Sequence, residues 1–537
     1  MKTAGLTIRW TISLPLVPTA LLQIIRLHIF KSQEFMGDNI NDDTRSWTSL
    51  ALTLIWVFSM TLTILSGVLC VLFPALKISH PGGKYNIGVV DLHLPVKFDE
   101  ETTRLYHLDV GQTKESDHDN SVNGFVSVRL FYPTLESIGS IPYLNEDAAN
   151  TICATMAKIF SPPPLNKLTW ILNTWQLATI RAKRNAMPSF SLSDKGTNKV
   201  KDIENKMPVV VFSHGLLGNK TSCTYQCMNL ASNGSLVVSI DHSDGSATTM
   251  KKHDGSIVSF DFTFIERLQE FGSQIDAKRG VCSSELIAAN AKHIRALRKK
   301  VDHRASELLA CTLSLIDLNK FNVPDLDNLG ISFVNGLDIN NIAVAGQSLG
   351  GASAVTAATY RPDLFSSVVA HDPALDLMPD SARRIMFEER RFEGSRLKYC
   401  GGMGGYEESD KYSSKEKKRH IIMHNTASSF HELDILLLYS YQLEKEWGEH
   451  LFKIFRRDHI FDMFRRGQLG PRTNSISNCT FVFGSCHNEF ADTCMMTPTW
   501  LARAIGLTGK RSPHETAQEM AGHTIHFLEE VAKKRQE

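Results

Sequence analysis

The chain has 537 residues, with 58 basic residues against 57 acidic ones and a net charge of +1. A balance this even gives no sign of nucleic-acid binding. Ten cysteines with no repeated C-x-x-C spacing exclude a zinc-ribbon or disulfide-scaffold reading. The length leaves room for about three domains or for one large α/β enzyme.

The N-terminus comes first and stands apart. Trp10–Ile25 is uncharged but holds Pro15 and Pro18 and ends at Arg26, so it reads as a short span, a signal-like segment or an interfacial helix. Thr48–Phe73 runs 26 residues without a charge. As a helix it is roughly 39 Å long, enough to cross a hydrocarbon core of about 30 Å. We therefore expect residues 1–76 to anchor the protein in a membrane, with one span at 48–73, a possible second at 10–25, and a globular domain from 77 to 537. Charge does not settle the topology. With one span, Lys2, Arg9, Arg26, Lys31 and Arg45 precede the membrane and place the domain outside the cytosol; with two spans the domain faces the cytosol.

Beyond residue 77 the pattern is globular. Val89–Val96 and Val126–Tyr132 alternate apolar and polar residues, as half-buried antiparallel strands do. Lys206–His214 and Ser235–Asp241 are near-continuous apolar runs, suited to strands covered on both faces. Asn341–Ala345, Phe365–Asp372, His420–His424 and Thr480–Gly484 complete the expected strands, and Ala352–Tyr360 and Val301–Leu318 read as helices. Strands alternating with helices predict an α/β fold on a mostly parallel sheet. Two stretches look like insertions. Residues 260–318 form a long charged helical excursion. Residues 383–419 are rich in charge and glycine and read as a solvated loop, with a lid or membrane-contact loop as the alternative.

One motif carries chemistry. Gly346-Gln-Ser-Leu-Gly350 lies between an expected strand and an expected helix, the setting of a nucleophile elbow in which Ser348 is presented at a sharp turn. A serine nucleophile needs a base, an acid to orient the base, and donors for the oxyanion. In this architecture acid and base follow the serine in chain order, each just past a strand. Asp372 ends the next expected strand; Asp376, four residues on, competes with it. His487 follows the last strand, whereas His214, His242, His371 and His424 are expected to be structural. The Leu349 N–H supplies one oxyanion donor. The turn Ser213-His-Gly-Leu-Leu-Gly218 supplies the other, with Leu216 as the donor. No ligand cluster suggests a metal or other cofactor.

These residues resemble the plasma and type II intracellular platelet-activating factor acetylhydrolases, α/β-hydrolase phospholipases that need no metal. The similarity rests on six blocks: Tyr85–His93, Val210–Leu216, Ile240–Ala247, His303–Cys311, Ile342–Gly351 and Gly484–Asp492, the last reading Gly-Ser-Cys-His-Asn-Glu-Phe-Ala-Asp. The chain departs from the family at Gln347, where histidine is common, and in its acid block, Ala370-His-Asp-Pro-Ala-Leu-Asp376, which keeps both aspartates in play. The resemblance implies an α/β-hydrolase domain over 77–537 and hydrolysis of the sn-2 ester of platelet-activating factor-like, short-chain or oxidised glycerophospholipids. The expected catalytic set is Ser348, Asp372 and His487, with Leu216 and Leu349 at the oxyanion. The expected partners are phospholipid and membrane. Two other readings are a generic carboxylesterase or lipase, and an inactive membrane-anchored binding protein.

The sequons at Asn219, Asn233 and Asn478 bear on topology. Asn219 lies just past the oxyanion turn, where a glycan would obstruct the site. With the absence of a disulfide pattern, this favours a cytosol-facing domain.

Overall fold

The computed structural model describes residues 77–96, 124–160 apart from 145, 173–190, 206–263, 284–383, 433–440, and 477–537 apart from 498, 505, 506 and 510, with a few positions between 53 and 61. The apolar segment 10–25 lies outside these residues. So does 48–73 but for those few positions, and so does the loop 383–419 beyond its first residue. Among the described residues no helix is long and apolar enough to cross a membrane.

Thirteen strands are described, in chain order β1 (Lys77–Ile78), β2 (Asn86–Pro95), β3 (Phe125–Thr134), β4 (Gly139–Pro142), β5 (Thr179–Arg184), β6 (Met207–Ser213), β7 (Leu236–Asp241), β8 (Thr249–Lys251), β9 (Ile257–Ser259), β10 (Leu337–Gln347), β11 (Ser367–His371), β12 (Asp434–Ser440) and β13 (Ser477–Val482). Eleven of them share one sheet in the order β1-β5-β2-β3-β7-β6-β10-β11-β12-β13, with β4 beside β5. From β7 to β13 every pairing is parallel, and β3 joins its neighbours β2 and β7 antiparallel. This is the mostly parallel sheet the sequence predicts.

The helices are α1 (Glu146–Phe160), α2 (Thr224–Ser232), α3 (Ser284–Leu318), α4 (Pro324–Asn328), α5 (Leu349–Tyr360), α6 (Thr499–Ala504) and α7 (Pro513–Gln536). Side chains of one strand alternate between faces, and the two cores follow this rule. Val209 and Val211 of β6 join Leu308 of α3 and Val355 of α5 on one face, while Val210 and Phe212 join Met228 of α2 and Phe527 of α7 on the other.

Three expectations change in the structure. β3 is half-buried only at its first residue and buried from Val126 to Thr134, because helices cover both faces of the sheet. The strand beside β11 is the Leu-rich β12, which the sequence reading did not name; His420–His424 lies outside the described residues. The C-terminal part of 260–318 is not peripheral. Val301, Ala305, Leu308, Leu309 and Leu315 recur at helical spacing on α3 and are buried in the core.

Candidate active site

Strands β6 and β10 are neighbours, and the chain leaves β6 toward β7 on one side and leaves β10 toward β11 on the other, in opposite directions. Such a switch point opens a crevice at the carboxyl ends of the strands. The turn after β6 and the turn after β10 both face that crevice. The register sets Gly346 beside Ser213, and two residues further on a Cβ added to Gly215 would lie 3.3 Å from Ser348 Cβ.

Ser348 has φ 55° and ψ −118°, a conformation that side-chain-bearing residues rarely adopt. The glycines around it allow the turn. A Cβ on Gly346 would overlap the Gly350 carbonyl, and one on Gly350 would overlap the Ser213 carbonyl. The serine N–H donates to His371 O at 2.8 Å, tying the elbow to the end of β11.

The three expected partners meet. His487 Nε2 lies 3.0 Å from Ser348 Oγ, and His487 Nδ1 lies 2.6 Å from Asp372 Oδ2. With Nδ1–H donating to the carboxylate, Nε2 keeps its lone pair for the serine hydroxyl. Asp372 is fully buried, and its φ of 45° turns it out of β11. Its N–H donates to Leu438 O at 2.6 Å. Asp376 lies in a short 3₁₀ turn, Leu375–Leu377, and its side chain is outside the described residues.

Ser440, at the end of β12, was not singled out from the sequence. Its Oγ donates to Asp372 Oδ2 at 2.7 Å and its N–H to Oδ1 at 3.3 Å. The one available signal was a small polar residue closing an apolar run. The loop bearing His487 is held by Glu489, which accepts Cys486 N–H at 2.8 Å and Gly509 N–H at 3.3 Å, and by Asp492, which accepts the Tyr143 hydroxyl at 3.2 Å.

The two oxyanion candidates flank the serine. Leu349 is the first residue of α5, where a helix has no internal partner for its N–H. In the turn after β6 the Leu217 N–H donates to Ser246 O at 2.9 Å and the Gly218 N–H to Gly215 O at 3.1 Å. Leu216, the residue just before them, is half-buried, and among the described residues its N–H makes no such bond. Of the four histidines expected to be structural, His424 lies outside the described residues. His214, His242 and His371 are buried; burial pushes His371 down to about 4, and its Nε2 meets Thr524 Oγ1 at 3.0 Å.

This arrangement suits acyl transfer through a serine. The family model described as "Platelet-activating factor acetylhydrolase, isoform II" matches residues 73–379, more than half of the chain. A second model, Esterase, matches residues 335–437. Two proteins named platelet-activating factor acetylhydrolase are similar to the chain. The one from Canis lupus familiaris is 28% identical over 160 residues, and the one from Gallus gallus is 30% identical over 159. Each alignment covers 28% of this chain, and it spans 32% and 35% of those relatives, about a third of their length. Among solved structures, a ferulic acid esterase from Streptomyces cinnamoneus aligns over 85% of this chain and 93% of its own, at 15% identity and a TM-score of 0.45.

Proposed function

The chain belongs to the platelet-activating factor acetylhydrolase, isoform II, family, and from that premise we propose that it is a serine esterase cleaving the sn-2 ester of platelet-activating factor-like, short-chain or oxidised glycerophospholipids. The observation that carries this reading is the relay from Ser348 Oγ to His487 Nε2, 3.0 Å, and from His487 Nδ1 to Asp372, 2.6 Å.

In this scheme Ser348 Oγ attacks the acyl carbonyl while His487 Nε2 takes its proton. Asp372 orients the imidazole and stabilises its charged form. The N–H groups of Leu216 and Leu349 hold the oxyanion of the tetrahedral intermediate. That intermediate collapses, the ester C–O bond breaks, and His487 returns the proton to the departing lyso-lipid oxygen. Water then gives a proton to His487 and adds to the acyl-serine. Collapse of the second intermediate restores Ser348 and releases the fatty acid. No step uses a metal, so chelators are expected to leave the rate unchanged. Ser440 holds the Asp372 carboxylate in place. The N-terminal region 1–76 anchors the domain beside its bilayer substrate, with the active site facing the cytosol.

The test is hydrolysis of phosphatidylcholines bearing acetyl or palmitoyl at sn-2, beside p-nitrophenyl acetate. The expected result is hydrolysis of the acetyl lipid. Ser348→Ala should lower kcat by about 10⁶-fold, the usual scale for losing a triad nucleophile. Turnover of the soluble ester with none of either lipid would make the protein a generic esterase. No turnover, and no labelling of Ser348 by a fluorophosphonate, would make it a binding protein.

A further inference from the structure

Beneath the turn that follows β6 lies a buried polar cluster with no role in the chemistry above. Its centre is Arg304, which projects from α3 and is 0% exposed. Nη1 donates to His214 O at 2.6 Å, and Nη2 reaches Gly215 O at 3.5 Å. From behind, Nε donates to Asp244 Oδ2 at 3.1 Å and to Ser246 Oγ at 2.9 Å. Ser246 also grips the turn directly, since its carbonyl accepts the Leu217 N–H at 2.9 Å.

One helical turn along, Glu307 accepts His242 Nδ1 at 2.6 Å, Ser243 N–H at 3.0 Å and Ser243 Oγ at 2.6 Å. His242 Nε2 in turn meets Ser213 Oγ at 2.7 Å. Ser213, His242 and Glu307 thus have the connectivity of a second serine–histidine–acid relay. Their exposures of 0%, 0% and 2% leave no approach for a substrate. The set is a brace for the end of β6 rather than another catalytic centre.

The brace converges on one peptide. Gly215 O accepts His214 Nδ1 at 2.7 Å and Gly218 N–H at 3.1 Å, besides Arg304. In a planar trans peptide the C=O and the following N–H point in opposite directions. Pinning the Gly215 carbonyl into the cluster therefore turns the Leu216 N–H away from it, out of the brace. A guanidinium suits this task because its rigid fork serves several acceptors at once, whereas an ammonium offers a single compact point of contact.

We propose that Arg304, seated on Asp244 and Ser246, is a positioning residue for the oxyanion hole, fixing the His214 and Gly215 carbonyls and through them the direction of the Leu216 N–H. The proposal rests on the reading of Ser348 as nucleophile and Leu216 as donor. It touches no reacting atom; it acts through the backbone of the turn.

Arg304→Lys tests it, since lysine keeps the charge beside Asp244 and loses the fork. Ser246→Ala is the milder second variant should the first fail to fold. Active sites are titrated with a fluorophosphonate, and kcat, KM and the kcat–pH profile are measured on p-nitrophenyl acetate. Affinity is measured for an alkyl trifluoromethyl ketone, which adds Ser348 to form a tetrahedral oxyanion. The expected result for Arg304→Lys is a fall in kcat per titrated site of about 10- to 100-fold, the scale of a misplaced oxyanion donor. KM and the shape of the pH profile should hold, and the ketone should weaken by the same factor. A wild-type kcat per site in both variants overturns the proposal. So does a loss that appears only as fewer titratable sites, or one that leaves ketone affinity intact. If the wild-type protein itself neither titrates nor hydrolyses, the reading of Ser348 fails and this role falls with it, a pattern distinct from any effect confined to the variants.

Discussion

Asp372 leaves its strand with φ 45°, buries its carboxylate completely and gives Oδ2 to both His487 and Ser440. The imidazole then has one fixed tautomer, and this dependence is measurable. Asp372→Asn should lower kcat by about 10⁴-fold, because an amide leaves the imidazole in the wrong tautomer. Asp376→Asn should stay within about tenfold of wild type, and Ser440→Ala should fall between the two. A larger loss for Asp376→Asn than for Asp372→Asn in steady-state assays would move the acid to residue 376. A second carboxylate has a different consequence. Burial pushes Asp492 up to about 8, against the hydrogen bonds from Tyr225 N–H and Tyr143 that favour its charge. Its ordinary value is 3.8. Between these values the folded chain keeps a proton that the unfolded chain has released, so this residue's contribution to stability falls as pH rises through that window. Asp492→Asn cannot titrate. From about pH 4 to pH 8 the urea midpoint should therefore fall more, or rise less, in wild type than in the variant; equal slopes for the two proteins would refute the assignment.

Among the elements, α3 departs most from its appearance in the sequence. Its exposed face is dense in charge, which makes the stretch resemble an excursion, yet Leu308, Leu309 and Leu315 are 0–1% exposed against the sheet. Leu308→Ala should cost about 2–5 kcal/mol in chemical denaturation, the usual range for a buried leucine. A cost under about 0.5 kcal/mol would return the helix to the periphery. The same helix delivers Arg304 and Glu307 beneath the oxyanion turn, so its packing and the geometry of the site are linked. Strand β12 escapes the sequence reading for a different reason. Its centre is Ile435-Leu-Leu-Leu438, and leucine favours helices over strands when nothing else decides. Parallel neighbours on both sides make it a strand, and that places Ser440 against Asp372.

At the scale of the whole molecule, the proposed membrane anchor makes the compartment of the active site a testable consequence. Asn219 is 4% exposed, with its Nδ2 bonded to Thr248 Oγ1 at 3.0 Å and its Oδ1 accepting Thr221 N–H at 2.8 Å. A glycan has no room there in the folded protein. Asn233 is exposed, so it is the site where occupancy would report on compartment. A cytosol-facing domain should be digested when protease is added to sealed microsomes, and Asn233 should carry no glycan. Survival of the domain until detergent is added would place it in the lumen.

Much of this protein is legible in one dimension. Gly346-Gln-Ser-Leu-Gly350 declares itself because a strand–turn–helix elbow needs those glycines whatever else the chain does. Asp372 and His487 follow because each ends or closely follows a strand, and apolar runs mark strands locally. What linear order cannot carry is contact between distant segments. Nearness to a strand end favours Asp372 over Asp376 in the sequence, but the contact itself comes from the pairing of β11 with β12, which turns Asp372 onto His487 and supplies Ser440 to hold it. Arg304 and Glu307 read as two charges in a charged helix. Folding puts them under a turn 90 residues earlier, where burial removes water and leaves backbone carbonyls, a carboxylate, a histidine and serines as their partners. Charge in a sequence looks solvated by default; whether it is buried and paired depends on which strand and helix faces pack together, a property of the assembled sheet and not of any single segment.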